Sequence, residues 1–340
     1  MKVLITGITG RVGSNVARDM VAKGLDVRGT VMPGDPLEAR VRELGCEIVH
    51  ADLRDEASLV SACEDVDVVC HFAAIMEDVP EGMSWVEYFD VNTRGFFCLM
   101  EVAREMGSKL RKFVYTSSTA VYDIWTAADP PIRETHPRRP THTYGFTKVA
   151  NEELARCYHF RDGVPVTVLR LSYVIAGNAA DIGWNQGVVT WGLREFGGDP
   201  RCAFYVEGVD QPWRKVEQEC PGPKTLVCPR SPDGRPWVWH LTDVRDVTHA
   251  VWRAIESDVT GEVFNIAGPD VAAWDAVGEY LSEKTGLDYR EVTIPNVWHL
   301  EFDITKAREM LGYDPQYTTR RMLDDSLAMR AGKNVGIVCL

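Results

Sequence analysis

Short apolar runs rich in β-branched residues alternate with amphipathic stretches through the first half of the chain. Residues 2–6 predict a strand and residues 12–23 a helix. Strands are expected over 27–31 and 47–50, with a helix over 37–44 between them. A helix over 57–62 leads into residues 66–72, which are largely apolar. Such a strand is buried on both faces, as in a parallel sheet. A long helix over 91–106, a strand over 112–116, a helix over 144–159 and a strand over 166–171 continue the rhythm. The alternation predicts an α/β fold with a doubly wound parallel sheet of the Rossmann type.

After about residue 176 the rhythm breaks. Residues 197–236 are rich in Gly, Pro, Trp and Cys, and few elements can be placed there. Order returns with an apolar run over 237–241, a helix over 244–255 and a strand over 262–267. The remainder reads as mainly helical. The pattern divides the chain into a dinucleotide-type unit over 1–176 and a smaller α/β substrate lobe over 177–340. The strand near 262–267 is expected to return to the first unit.

The chain has 340 residues, 45% of them hydrophobic and 26% charged, enough for one large or two modest cores. Its formal charge of -13 argues against nucleic acid and anionic membrane as partners. The N-terminus runs directly into a strand-like stretch without a signal peptide, and no stretch is apolar enough to span a bilayer. The nine cysteines contain no Cys-x-x-Cys pair. They read as buried, reduced thiols of a cytoplasmic protein. Cys202, Cys220 and Cys228 do not have the spacing of a zinc site, so no metal is expected.

The first predicted strand ends in Gly7-Ile8-Thr9-Gly10-Arg11-Val12-Gly13 and a helix follows. Glycine there permits a tight turn, a close approach to a pyrophosphate and close packing of helix on strand. The helix start offers N–H groups to phosphate. Gly7, Thr9, Gly10, Arg11, Val12 and Gly13 are therefore candidate cofactor contacts. Farther on, Tyr144-Gly145-Phe146-Thr147-Lys148 places Tyr144 and Lys148 on one face of a predicted helix.

With the segment from Tyr115 to Tyr122, these motifs resemble the extended short-chain dehydrogenase/reductase family, in its NAD-dependent epimerase/dehydratase branch. The resemblance covers nearly the whole chain. It implies that Asp52 and Leu53 meet the adenine, although Asp52 also suits a cap of the next helix. It implies that Phe72, Ala73 and Ala74, after His71, border the pyrophosphate, and that Asn92 opens the long helix beside the cofactor. Asp243, Asn265 and Asp303 also fit the family pattern. Ser118, four residues before Tyr122, holds the place of the catalytic hydroxyl; Thr119 is its nearest substitute. Ser117 reads as structural or cofactor-contacting, Tyr122 as packing.

An ordinary tyrosine has a pKa near 10, too high for a base at neutral pH. The Lys148 ammonium favours the phenolate, so Tyr144 becomes the acid/base; Lys148 can also hold ribose hydroxyls. Ser118 would bond the substrate oxygen. The implied function is an NAD(P)-dependent oxidoreductase that interconverts a secondary alcohol and a ketone on a sugar or polyol-like small molecule. The alternative is a (nucleotide-)sugar epimerase that recycles its cofactor through the same three residues. A non-catalytic cofactor sensor ranks below both, because Tyr144, Lys148 and Ser118 are all present. Dehydration is disfavoured because Thr119-Ala120 follows Ser118, where an Asp-Glu pair would be needed.

The end of the second strand, Thr30-Val31-Met32, carries neither the acid that suits NAD nor the arginine that suits NADP. Arg28 or Arg11 could reach a 2′-phosphate, and Asp35 acts in the opposite sense. The balance leans to NAD. Tyr173 stands where relatives acting on nucleotide sugars carry an asparagine that contacts phosphate, and Pro236, beside Arg235, where they carry an arginine. Arg194, Arg201 and Arg214 are candidate replacements. Met76, Ser118, Thr119, Trp125 and Tyr173 are the candidate substrate contacts. The tryptophans of the second lobe suit sugar rings and flat alcohols alike, and most read as core packing. The helices over 91–106 and 144–159 resemble the family's dimer helices, so a homodimer is expected.

Overall fold

The computed structural model describes residues 1–76, 82–123, 130–177, 183–198, 204–205, 207–208, 211–296 and 298–339. The predicted strands appear as β1 (Lys2–Thr6), β2 (Asp26–Val31), β3 (Glu47–His50), β4 (Val68–His71), β5 (Lys112–Ser118) and β6 (Val166–Leu171). Beyond them come β7 (Tyr173–Ile175), β8 (Leu226–Arg230), β9 (Val238–Trp239), β10 (Leu241–Asp243) and β11 (Glu262–Ile266). Strand β11 pairs with β6, and the seven-stranded sheet has the order β11-β6-β5-β4-β1-β2-β3 with all neighbours parallel.

The helices that position the site are α1 (Arg11–Ala22), α2 (Glu38–Arg42), α3 (Glu56–Ala62), α4 (Trp85–Phe89), α5 (Gly95–Met106), α6 (Thr143–Asp162), α7 (Gln186–Phe196), α8 (Pro212–Glu219) and α9 (Val244–Glu256). Alternation along the strands feeds two cores. Val3, Ile5, Val68, Cys70 and Val114 pack with Val16 and Met20 of α1 and Val247 and Val251 of α9. Leu4, Val69, Phe113 and Tyr115 pack with Phe96 and Leu99 of α5 and Ala155 and Tyr158 of α6. Period-two strands buried on both faces produce this three-layer arrangement. The strand order reverses between β1 and β4, so a crevice opens at their C-terminal ends, where ligands bind in such sheets.

Some elements differ from the sequence expectation. The predicted helix over 91–106 opens as a π-helical turn at Asp90–Arg94 and continues as α5, with α4 ahead of it. Ser84 caps α4 in a reciprocal capping box with Glu87. The apolar run over 237–241 splits into β9 and β10. Val238 pairs its backbone with Trp298 and Leu300, whereas the His240 carbonyl accepts the Ser172 hydroxyl, so the two halves serve different neighbours. The Cys-rich segment contains α8 and β8. The described cysteines are free thiols, but Cys157 and Cys339 are exposed, against the expectation of burial. One lies on the outer face of α6 and the other in the C-terminal tail; Cys202 lies outside the described residues. No helix among the described residues is long and apolar enough to cross a membrane.

The turn after β1 is the tightest point of the crevice. A Cβ on Gly13 would stand 2.2 Å from the Gly7 carbonyl oxygen, which is backbone and cannot move aside cheaply. Gly13→Ala should therefore destabilise the protein by about 1–3 kcal/mol, read from urea denaturation midpoints. An unchanged midpoint would show that the turn relaxes freely.

Candidate active site

The glycine turn joins β1 to α1 at the switch point. Gly7 lies at φ +71°, a conformation that favours glycine, and a Cβ there would stand 2.7 Å from the Ala73 nitrogen. The Gly10 N–H closes the turn on the Gly7 carbonyl at 3.0 Å. Helix α1 starts with no side-chain cap and no acidic residue in its first turn. Its unpaired N–H groups and positive dipole end therefore face the crevice, which fits a pyrophosphate.

The flanking charges discriminate between cofactors. The Thr9 hydroxyl donates to Asp35 Oδ2 at 3.0 Å, which keeps a carboxylate beside the turn. A carboxylate there suits free ribose hydroxyls and opposes a 2′-phosphate. Arg28 was a candidate for that phosphate, and its placement corrects the expectation. It is buried, donates to the carbonyls of Ala62 and Glu64, and pairs with Glu47 at 3.0 Å. Arg11 instead reaches across the crevice and donates to the Val174 carbonyl at 2.6 Å.

Asp52 follows β3, and its carboxylate is held by Arg54 through Oδ1 (3.0 Å to Nε) and Oδ2 (2.6 Å to Nη2). The bond from Arg54 keeps its pKa below the ordinary value. Asp52 is not the cap of α3; Asp55 is, accepting from the Ala57 N–H. The Leu53 side chain is buried against α5, where Gly95 leaves room for it. Phe72, Ala73 and Ala74 are half-buried at the end of β4. Asn92 is buried and bonds both backbone groups of Ile75 at 2.8 Å. Its amide thus anchors the chain after Ala74. His71 bonds Thr6 Oγ1 at 2.8 Å; burial, aided by the Lys148 charge, pushes its pKa down to about 3, so it is neutral.

The end of β5 and the start of α6 bring the candidate reactive groups together. Helix α6 begins close against the turn after Ser118, because Gly145 leaves no side chain to strike the Ala120 carbonyl; a Cβ would lie 2.3 Å away. Ser118 is half-buried and its Oγ accepts from the Ala120 N–H at 3.1 Å, leaving its own O–H to donate. Thr119 is buried at 6% exposure, so Ser118 is the more accessible of the two hydroxyls. Tyr144 is half-buried in the first turn of α6, its ring parallel to His142. Lys148 is buried, and its Nζ donates to the Thr116 carbonyl at 2.9 Å while lying 5.4 Å from the Tyr144 ring centre. Burial draws its pKa from the ordinary 10.5 down to about 7, and the Glu152 charge opposes that fall.

Glu152 escaped the sequence reading. It lies four residues beyond Lys148 on the same helix face, so the Tyr144–Lys148 spacing extended by one turn would have found it. It accepts from Ser117 Oγ at 2.6 Å and pairs with Arg170 of β6 at 2.8 and 2.7 Å. Arg170 also donates to the Tyr122 hydroxyl at 2.6 Å, which in turn donates to Asn265 Oδ1. Ser117, Tyr122 and Asn265 are thus structural. On the substrate side, Met76 is exposed and Tyr173 is half-exposed against Trp239. Trp125 lies outside the described residues. No cluster of His, Cys, Asp or Glu among the described residues could hold a metal.

A doubly wound sheet, a glycine-rich phosphate turn and a Tyr/Lys pair beside a serine define a short-chain dehydrogenase/reductase with NAD as cofactor. The chain belongs to the NAD dependent epimerase/dehydratase family, whose model matches residues 3–267. It is 31% identical over 188 residues to UDP-glucose 4-epimerase of Lacticaseibacillus casei, covering 53% of this chain and 54% of that protein. It is 30% identical over 188 residues to L-arabinose 1-dehydrogenase (NAD(P)(+)) of Haloferax volcanii, covering 52% of this chain and 68% of that protein. The chain thus spans about half the length of the first curated relatives it matches. Among solved structures, a short-chain dehydrogenase/reductase superfamily protein of Agrobacterium tumefaciens with bound NAD superposes with a TM-score of 0.79 at 25% identity, over 98% of both chains.

Lys148 yields a pH prediction. With its native pKa near 7 and an ordinary value of 10.5, the folded protein binds fewer protons than the unfolded chain between those limits. Stability rises with pH across that window. Lys148→Met removes this component. The mutant's gain in denaturation midpoint over the wild type should be largest below pH 7 and shrink toward pH 10. A difference independent of pH would contradict the burial of a titrating lysine.

Proposed function

We propose that the protein is an NAD-dependent oxidoreductase that interconverts a secondary alcohol and a ketone on a sugar or polyol-like small molecule. The observation that carries this reading is the placement of the buried Lys148 ammonium beside the Tyr144 ring, against the strand end that bears Ser118. Bound NAD supplies the hydride acceptor or donor. The glycine turn and the start of α1 hold its pyrophosphate, with Asp35 favouring the unphosphorylated ribose. Ser118 donates a hydrogen bond to the substrate oxygen. Tyr144 takes or gives that oxygen's proton, and the Lys148 charge stabilises the phenolate. Residues 1–176, joined by β11, form the dinucleotide unit, and residues 177–340 form mainly the substrate lobe.

The second reading is an epimerase using the same residues, and the name of the L. casei relative favours it. In both cases the protein would work in the cytoplasm as a homodimer. Trp85, Val86 and Phe89 of α4, Phe97 of α5 and Phe146 of α6 are exposed, and the Phe89 and Phe146 rings stack 6.4 Å apart. An exposed apolar patch of this kind is characteristic of a protein interface.

Two measurements test these readings. Tyr144→Phe should lower kcat about 100-fold or more while NAD binding by calorimetry stays within a few-fold; full activity in that variant would sink the mechanism. Light scattering at micromolar concentration should give a dimer mass, and Phe146→Glu should shift it to the monomer. A monomeric wild type would remove the dimer.

A further inference from the structure

The tryptophans of the second lobe are not equivalent. Trp184, Trp237 and Trp274 are each 2% exposed and interlock edge to face, with ring centres 4.9–5.5 Å apart. Trp298 joins them at 5.6 Å from Trp237. These four are core. Trp239 sits at the edge of that cluster, 6.0 Å from Trp184 and 5.8 Å from Trp298, and remains half-exposed. Tyr173 packs on its outer side at 4.6 Å with the rings inclined by 46°, and is 47% exposed. The two rings form an open corner whose back is fixed by buried aromatics.

The corner is also fixed to the crevice. Tyr173 starts β7, two residues after β6 ends, and β7 pairs with β10 with Tyr173 opposite Leu241. Its neighbour Val174 accepts the hydrogen bond from Arg11 of the glycine turn. The Ser172 hydroxyl donates to the His240 carbonyl, beside Trp239. Tyr173 therefore stands on a short strand bonded to the cofactor turn, with Trp239 packed against it.

A diphosphate at this place would need cationic or N–H partners, because a desolvated double charge without them is costly. The candidate arginines among the described residues are engaged elsewhere. Arg235 pairs with Asp233 at 2.8 Å, and Arg170 is buried with Glu152. Arg194 pairs with Glu217 and lies 4.0 Å over the Trp213 ring, which Arg214 covers from 5.3 Å. Arg201 lies outside the described residues. Among the described residues no cation lies over either ring, and Arg11, the arginine held on the neighbouring Val174 carbonyl, belongs to the cofactor turn. Such aromatic faces match the C–H face of an uncharged ring, whose hydroxyls stay wet or meet polar groups.

We propose that Tyr173 and Trp239 form a stacking corner that selects an uncharged monosaccharide in its ring form over a nucleoside-diphosphate sugar. The inference rests on the oxidoreductase reading above and names its substrate class. In the forward direction one ring carbinol loses its C–H as hydride to NAD+ and its O–H proton to Tyr144, and from there to solvent. The products are the carbonyl compound, NADH and a proton.

The test uses the full chain with NAD+, a panel of free aldoses including arabinose, xylose, galactose and glucose, and UDP-glucose and UDP-galactose. Nicotinamide absorbance follows oxidation, and sugar analysis follows epimerisation. At least one free aldose should be oxidised with a higher kcat/KM than either UDP-sugar is converted. Tyr173→Ala should raise KM for that aldose about fivefold with kcat and NAD affinity little changed, which corresponds to about 1 kcal/mol for one stacked ring. Tyr173→Phe should keep the wild-type KM. Preference for a UDP-sugar, no reaction with any free aldose, or an unchanged KM in Tyr173→Ala would each overturn the inference. Failure of the underlying mechanism is seen separately, as undiminished turnover in Tyr144→Phe.

Discussion

The site depends on one buried ion pair. Glu152 and Arg170 are nearly inaccessible, with side-chain exposures of 2% and 4%. Removing two such charges from water costs several kcal/mol for each ion, and only good geometry offsets it. Here two of the three guanidinium nitrogens meet both carboxylate oxygens, the third donates to Tyr122 and the Glu134 carbonyl, and Ser117 and Arg138 add bonds to the carboxylate. The pair fastens α6 to β5 and β6, so the helix that carries Tyr144 and Lys148 cannot slide relative to the strand that carries Ser118. It also places a negative charge one helical turn from Lys148. Without that charge, burial alone would drive the lysine further toward its neutral form, and a neutral lysine cannot favour a phenolate.

The cofactor side solves a different electrostatic problem. A chain with a net charge of -13 has to hold a pyrophosphate. On the proposed reading it would do so without a basic patch, because the partners would be backbone N–H groups at an uncapped helix start with no acid in the first turn. That arrangement demands close approach, and the approach demands glycine at Gly7 and Gly13, where the nearest neighbours are backbone atoms. The same crowding fixes β4 beside β1, since Ala73 is the residue that Gly7 touches. The sheet order and the phosphate site are therefore one constraint seen twice.

What the sequence made legible was local. Strands β1, β3 and β6 are bounded as their apolar runs suggest, and the glycine turn and the Tyr144–Lys148 spacing read directly. Each rests on residues within one or two turns of each other. What it hid was long-range. Arg28 reads as a cation that could reach a 2′-phosphate, yet strand alternation turns it inward to the carbonyls at and just beyond the end of α3. The Leu53 side chain fills a hole left by Gly95, more than forty residues away. Asn92 opens a helix in the pattern, whereas its amide anchors the chain at Ile75. Such roles depend on which distant backbone group lies opposite, and no periodicity records that.

The choice between net oxidation and epimerisation turns on the lobe more than on the reacting groups. Tyr144, Lys148 and Ser118 can serve either outcome, because both begin with the same loss of hydride and proton. Epimerisation further requires that the ketone present its opposite face to the same nicotinamide before it leaves. A substrate held by a distant anchor can turn its reacting ring while remaining bound. A ring held directly against a corner backed by Trp184 and Trp298 has no such anchor, and turning it over means losing the contact that retains it. On the stacking model the lobe therefore ties substrate class to reaction outcome: a small uncharged ring leaves as the oxidised product.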